Sequence, residues 1–142
     1  MAKINDKDYQ RLIEKALSAR EKAYCPYSKF AVGAALLTIE GKVYTGCNVE
    51  NSAGTSNCAE RTAFFKAVSE GDKKFAAIAN AGAPFNSENI EDFCYPCGIC
   101  RQVMSEFCSG DFIIISAKSI TEYEVHTLSQ MLPYSFELKG EK

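Results

Sequence analysis

The sequence predicts an α/β fold, a three-layer α/β/α sandwich around a mixed five-stranded sheet, built as one domain over residues 1–142. Three observations predict it. The run Phe30-Ala31-Val32-Gly33-Ala34-Ala35-Leu36-Leu37 is apolar on both alternating faces, as in a strand covered on both sides. Helical and extended patterns alternate in the order α-β-β-α-β-α-β-β, which places helices on both faces of a mixed sheet. The chain of 142 residues, 46% hydrophobic and 24% charged, is one globular domain's worth and too apolar for a disordered polymer.

Each element has a local reason. Asn5 or Asp6 can cap a first helix in which Tyr9, Leu12, Ile13, Ala16 and Leu17 recur at helical spacing. That helix fades near Tyr24-Cys25-Pro26, where the proline disfavours its continuation. After the Phe30–Leu37 strand, Glu40-Gly41 reads as a tight turn into a partner strand, Lys42 to Cys47. A second helix runs from Asn57 or Cys58 to about Glu70, with Ala59, Ala63, Phe64, Ala67 and Val68 on one face and Gly71 as its stop. Phe75 to Ala81 is a third strand, and Pro84 to Cys94 a loop. A third helix begins near Pro96, with Ile99, Val103, Met104 and Phe107 as its buried stripe, and ends at Gly110. Phe112 to Ile115 and Glu122 to Val125 complete the sheet.

Sixteen Lys and Arg against eighteen Asp and Glu leave a charge of −2, so no basic excess is present to bind nucleic acid or an anionic membrane. The longest apolar run has eight residues, well short of the ~20 needed to span a bilayer. The polar opening Met1-Ala2-Lys3-Ile4-Asn5-Asp6-Lys7 has no secretory pattern, and a cytoplasmic location is expected. Seven cysteines stand beside one histidine. An odd number cannot pair fully, and a reducing compartment disfavours disulfides, which leaves metal or packing.

The chemistry gathers at two helix starts, Cys58-Ala59-Glu60-Arg61 and Pro96-Cys97-Gly98-Ile99-Cys100-Arg101-Gln102. Cys97 and Cys100 share a face of a first helical turn. A C-x-x-C pair alone is ambiguous between metal, redox and chance, and Cys94/Cys97 is a second possible pair; Pro96 suits a helix start and favours Cys97/Cys100. With Cys58 the trio gives three thiolates, and a fourth tetrahedral position stays open, the catalytic rather than structural zinc pattern. Cys58 and Glu60 can converge only beyond the N-terminal end of their helix, so the metal belongs there, met by the start of the third helix. Helix dipoles and Arg61 would draw off part of the thiolate charge. Glu60 would then move protons between water and substrate.

Cys58-Ala59-Glu60 with Pro96-Cys97-x-x-Cys100 is the zinc-deaminase signature in three-cysteine form. Pro26-Tyr27-Ser28-Lys29-Phe30, Gly46-Cys47-Asn48-Val49-Glu50-Asn51 and Leu132-Pro133-x-x-Phe136 extend the likeness over nearly the whole chain. Together they resemble the small homotetrameric cytidine deaminases. The resemblance implies one zinc ion per subunit and hydrolysis of cytidine or 2′-deoxycytidine to the uridine nucleoside and ammonia, with Glu60 carrying protons to N3 and the departing amine. It implies that Asn48 and Glu50 hold the ribose 3′-hydroxyl, that Phe30 packs on the base, and that the Ala59 backbone meets the base edge. It implies too that Phe136 reaches a neighbouring subunit's site, so that sites are shared within a tetramer.

Each residue also has a plainer reading. The three cysteines could be buried apolar groups, Phe30 core packing, Glu50 a solvated carboxylate and Arg61 a surface ion-pair partner. Cys25, Cys47 and Cys108 read as packing residues, and His126 as structural or solvent-exposed. The chain departs from the family in two places. The segment Asn51–Asn57 is one residue shorter than usual and lacks the aromatic expected to meet the 5′-hydroxyl, and Tyr95 stands where serine is usual. Blasticidin S deaminases also have a short, glycine-containing segment here but lack the glutamate of Asn-x-Glu; Glu50 therefore favours cytidine and leaves a modified nucleoside as the alternative. A non-catalytic zinc-stabilised binding module is the reading from a different class.

Overall fold

The structure, a computed structural model, describes residues 4–141. The opening residues Met1-Ala2-Lys3 and the final Lys142, the ends of the expected domain span, lie outside the described residues.

The first helix, α1 (Asp6–Arg20), starts after Asn5, one of the two expected caps, in a capping box: the Asn5 side chain accepts from the Asp8 amide, and the Asp8 side chain accepts from that of Asn5. Beyond Arg20 the amides of Glu21, Lys22 and Ala23 bond three residues back, so the chain tightens before Tyr24 turns away to the Asn48 carbonyl. Two strands follow, β1 (Phe30–Thr38) and β2 (Val43–Cys47), joined through Gly41 at φ 99°, a conformation that favours glycine. Then come α2 (Ala59–Ser69), β3 (Phe75–Pro84), α3 (Gly98–Phe107), β4 (Ile113–Ala117) and β5 (Tyr123–Thr127). A four-residue helix, α4 (Leu128–Met131), closes the order with its own Thr127/Gln130 capping box; the sequence patterns did not predict it.

The five strands lie in the order β2-β1-β3-β4-β5. Only β3 and β4 run parallel, joined by the α3 crossover; the other pairs are antiparallel, so the sheet is mixed as expected. β3 runs three residues beyond its expected end at Ala81, because β1 pairs with it out to Phe30↔Pro84.

Two cores separate the layers. On one face, Leu12, Ile13 and Ala16 of α1 cover Ala35, Leu37, Ala77, Ala79 and Ile115. On the other, Ala59, Ala63, Phe64, Ala67, Cys100 and Met104 cover Ala34, Leu36, Ile78 and Ile114. β1 is therefore covered on both sides, which explains its unbroken apolar run. The α3 stripe differs from expectation at Ile99. Met104 is fully buried, but Ile99 is 61% exposed because it faces outward beside Phe65 rather than toward the sheet.

One glycine sets the site's position. A Cβ on Gly46 would stand 2.5 Å from the Ala59 carbonyl oxygen, so its absence lets the first turn of α2 lie directly on β2.

Candidate active site

Cys58 and Cys97 occupy equivalent places, each the extended N-cap residue of its helix, and neither accepts a side-chain capping bond. Both side chains are thus left to point past a helix N-terminus, where partial positive charge favours thiolate. Cys100, in the first turn of α3, is 1% exposed. The three Sγ atoms lie within 4.8 Å of one another, and Cys58 and Cys97 are 3.7 Å apart. Four ligands at Zn–S distances of about 2.3 Å would define a tetrahedron with edges of about 3.8 Å. The trio fits zinc.

The surroundings prepare these thiols. Arg61 Nη2 donates to Cys58 Sγ at 3.2 Å. Hydrogen bonding with Cys100, then with Arg61 and Cys97, pulls the Cys58 thiol down to about 5 against the opposing effect of burial. The same bond to Cys58, together with burial, pushes Cys100 upward. A divalent cation bound among the three sulfurs would favour thiolate at each of them.

Glu60, two residues into α2, is 3% exposed and lies beside the cluster. Its Oε2 accepts from Asn80 Nδ2 at 2.9 Å. Burial is the leading cause that raises its carboxyl, with the Cys58 charge acting in the same direction. A buried carboxyl raised in this way is suited to proton transfer near neutral pH.

Asn48 spans the start of β1: its Oδ1 accepts from the Val32 amide and its Nδ2 donates to the Phe30 carbonyl, both at 2.8 Å. Glu50 Oε1 accepts from the Tyr27 and Ser28 amides at 3.0 and 3.1 Å, and Ser28 holds its carboxyl below the usual carboxylate value. Neither is a freely solvated side chain; both fix the backbone around Phe30. Arg20 anchors the same region, donating to the carbonyls of Ala31, Ala83 and Pro84. Phe30 is half-buried and lines a cavity of about 550 Å³ with Gly82, Pro84 and Ser87. Ala59 opens α2 fully buried.

Phe136 lies on the outer side of its own chain's α3, where Gln102 Nε2 donates to its carbonyl and Phe65, Ile99 and Leu138 complete an apolar groove. Cys94 does not join the trio. It packs over Gly82, and burial pushes its thiol up to about 12. Burial likewise pushes Cys108 up to about 12. Cys25 is buried and Cys47 half-buried, and neither joins the cluster. His126 stands beside Tyr95 and 4.0 Å from Glu124. Tyr95 donates to Glu124 at 2.7 Å, a tie from the α3 approach to β5.

Two contributors escaped the sequence reading. Arg101 donates to the carbonyls of Pro96 and Met131 and so fixes the turn that carries Cys97. Asn80 is the other; its signal was a lone polar residue in the otherwise apolar run Phe75–Ala81.

The cytidine and deoxycytidylate deaminase zinc-binding region matches residues 6–116, most of the chain and all three cysteines. The chain belongs to this deaminase family. It is 48% identical over 130 residues to a cytidine deaminase of Sporosarcina psychrophila, covering 91% of each protein. The crystal structure of cytidine deaminase from Burkholderia pseudomallei superposes with a TM-score of 0.79 at 45% identity, covering 89% of this chain and 97% of that one. At greater distance, a blasticidin-S deaminase of Bacillus cereus is 29% identical over 132 residues, 89% of this chain and 93% of that protein. The fold of this deaminase is thus the α/β/α sandwich expected from its sequence, and its cysteine trio occupies a zinc-binding region.

Proposed function

We propose that this chain, acting as one deaminase domain, hydrolyses cytidine and 2′-deoxycytidine to uridine and 2′-deoxyuridine with release of ammonia. The observation that carries the reading is the buried Glu60 carboxyl beside three converging cysteines at two helix N-termini. Cys58, Cys97 and Cys100 would hold the zinc, which would supply Lewis acidity toward water. Glu60 takes a proton from the attacking water and passes protons to the pyrimidine N3 and the leaving amine. Arg61 draws charge from Cys58. Phe30 packs on the base, the Ala59 backbone meets its edge, and Asn48 and Glu50 receive the ribose 3′-hydroxyl, prepositioned by the bonds they already make to the β1 approach.

The enzyme works as a homotetramer in the cytoplasm, in pyrimidine salvage. An apolar groove of about 520 Å³ between Phe65, Ile99, Phe136 and Leu138 supports association, since each of these side chains is at least half exposed or nearly so in the single chain. A neighbour seated there would also place Phe136 at a subunit boundary. Among the described residues, no helix is long and apolar enough to cross a membrane.

A second substrate class is favoured by one observation. Asn51–Asn57 is an exposed turn through Gly54 at φ 79°, with no aromatic side chain to meet a 5′-substituent. Blasticidin S is the alternative. Ammonia release from cytidine, deoxycytidine, dCMP, cytosine and blasticidin S decides between them. The proposal expects the two nucleosides to turn over best; preference for blasticidin S would replace it.

A further inference from the structure

Asn80 sits in mid-β3, paired with Ala34 of β1 and Ser116 of β4, and is 1% exposed. Apart from Ser116, its sheet face is apolar there, with Ala34, Ile78 and Ile114 around it. An amide in such a place costs free energy unless its polar atoms are paired. Only part of it is. Asn80 Nδ2 donates to Glu60 Oε2 at 2.9 Å, whereas Asn80 Oδ1 and the neighbouring Ser116 Oγ have no hydrogen-bond partner among the described residues. Leucine has nearly the same shape and would fill the position without an orphaned oxygen. The amide's one distinctive service is to the glutamate.

A proton-transferring carboxylate must keep one rotamer through the reaction, and a small misplacement of such a group costs large factors in rate. Glu60 stands at the second position of α2, where its backbone alone does not fix the outer torsions of the side chain. We infer that Asn80 is the positioning residue for Glu60: its amide holds one carboxylate oxygen and thereby fixes the rotamer from which the other moves protons. This role rests on the deaminase reading above. Asn80 touches neither substrate nor metal in this account, so its loss weakens turnover and leaves binding intact.

The test uses Asn80→Leu, which keeps shape and removes the donor, and Asn80→Asp, which replaces the donor with a like charge. Both are expected to retain one zinc per chain and to lower kcat by about 10–100-fold, with KM within about twofold of the parent. Unchanged kcat, or a rise in KM alone, overturns the inference. A thermal cycle on the zinc-free protein provides a readout apart from activity. Melting midpoints of the parent, Asn80→Leu, Glu60→Met and the double variant should be non-additive, because the second substitution has no bond left to break. Additive midpoints in an otherwise active enzyme overturn the Asn80 role alone. A parent protein that releases ammonia from no nucleoside overturns the deaminase reading and the role together, while the midpoints still report whether the contact exists.

Discussion

Arg61 Nη2 lies 3.2 Å from Cys58 Sγ, one turn into the helix that Cys58 caps. The pair ties a cation to a metal ligand through a single helical turn, so charge on the cluster is set by local sequence. Three thiolates on a divalent ion carry a net negative charge, which weakens the ion's pull on water; the guanidinium offsets part of it. Arg61→Gln should therefore lower zinc affinity about 10–100-fold and reduce kcat, while circular dichroism stays unchanged. Competition with a chromogenic chelator measures the affinity. An unaltered zinc constant would show that Arg61 is only a packing residue.

Gly46 governs how closely α2 approaches the sheet. A methyl group there meets the Ala59 carbonyl oxygen at 2.5 Å and the Ala63 amide nitrogen at 2.6 Å, both backbone atoms of the helix that carries Cys58 and Glu60. Gly46→Ala should cost about 1–3 kcal/mol of stability through overpacking and lower zinc occupancy, because Cys58 moves with the helix. Thermal unfolding with metal analysis of the purified variant checks both.

Asn48 and Glu50 differ in what substitution should expose. Asn48→Asp replaces the donor to the Phe30 carbonyl with an acceptor, so stability should fall by about 1–3 kcal/mol and KM should rise with it. Glu50→Gln keeps an oxygen able to accept from the Tyr27 and Ser28 amides, so the turn survives. In the proposed role it loses only the charge offered to the sugar, and KM should rise about 10-fold or more with little change in melting temperature. Steady-state kinetics beside thermal melts would separate the two residues; identical behaviour would assign both to structure.

Asp72 makes the fold sensitive to acid away from the site. Tyr44 donates to its carboxylate and Lys42 pairs with it at 3.3 Å, and the hydrogen bond from Tyr44 is the leading cause holding its carboxyl below the ordinary 3.8. A depressed folded value means that this contribution is present above the unfolded value and is lost as pH falls through the folded one. Asp72→Asn should thus lower the melting midpoint at neutral pH, and the gap from the parent should close below the depressed value. A gap independent of pH would contradict the assignment.

Much of this molecule is legible in its sequence because the decisive signals are local. Phe30–Leu37 announces a doubly covered strand, Asn5 or Asp6 a helix start, and Cys58-x-Glu60 beside Cys97-x-x-Cys100 a metal site at two helix ends. What escaped depends on tertiary placement. Asn80 reads as one polar interruption in a strand until the fold sets it beneath Glu60. Ile99 has the spacing of a core residue, yet α3 is rotated so that Met104 meets the sheet while Ile99 joins the outer groove. The helix α4 is only four residues long, too short for periodicity to reveal.

The central claim is that Glu60 performs the chemistry at a zinc centre held by Cys58, Cys97 and Cys100. Ammonia release from cytidine by the parent and by Glu60→Gln, with zinc measured in the same samples, tests it most directly. The account predicts about one zinc per chain in both proteins and loss of nearly all turnover in the variant. A Glu60→Gln enzyme that keeps its metal and still releases ammonia at the parent rate would contradict it.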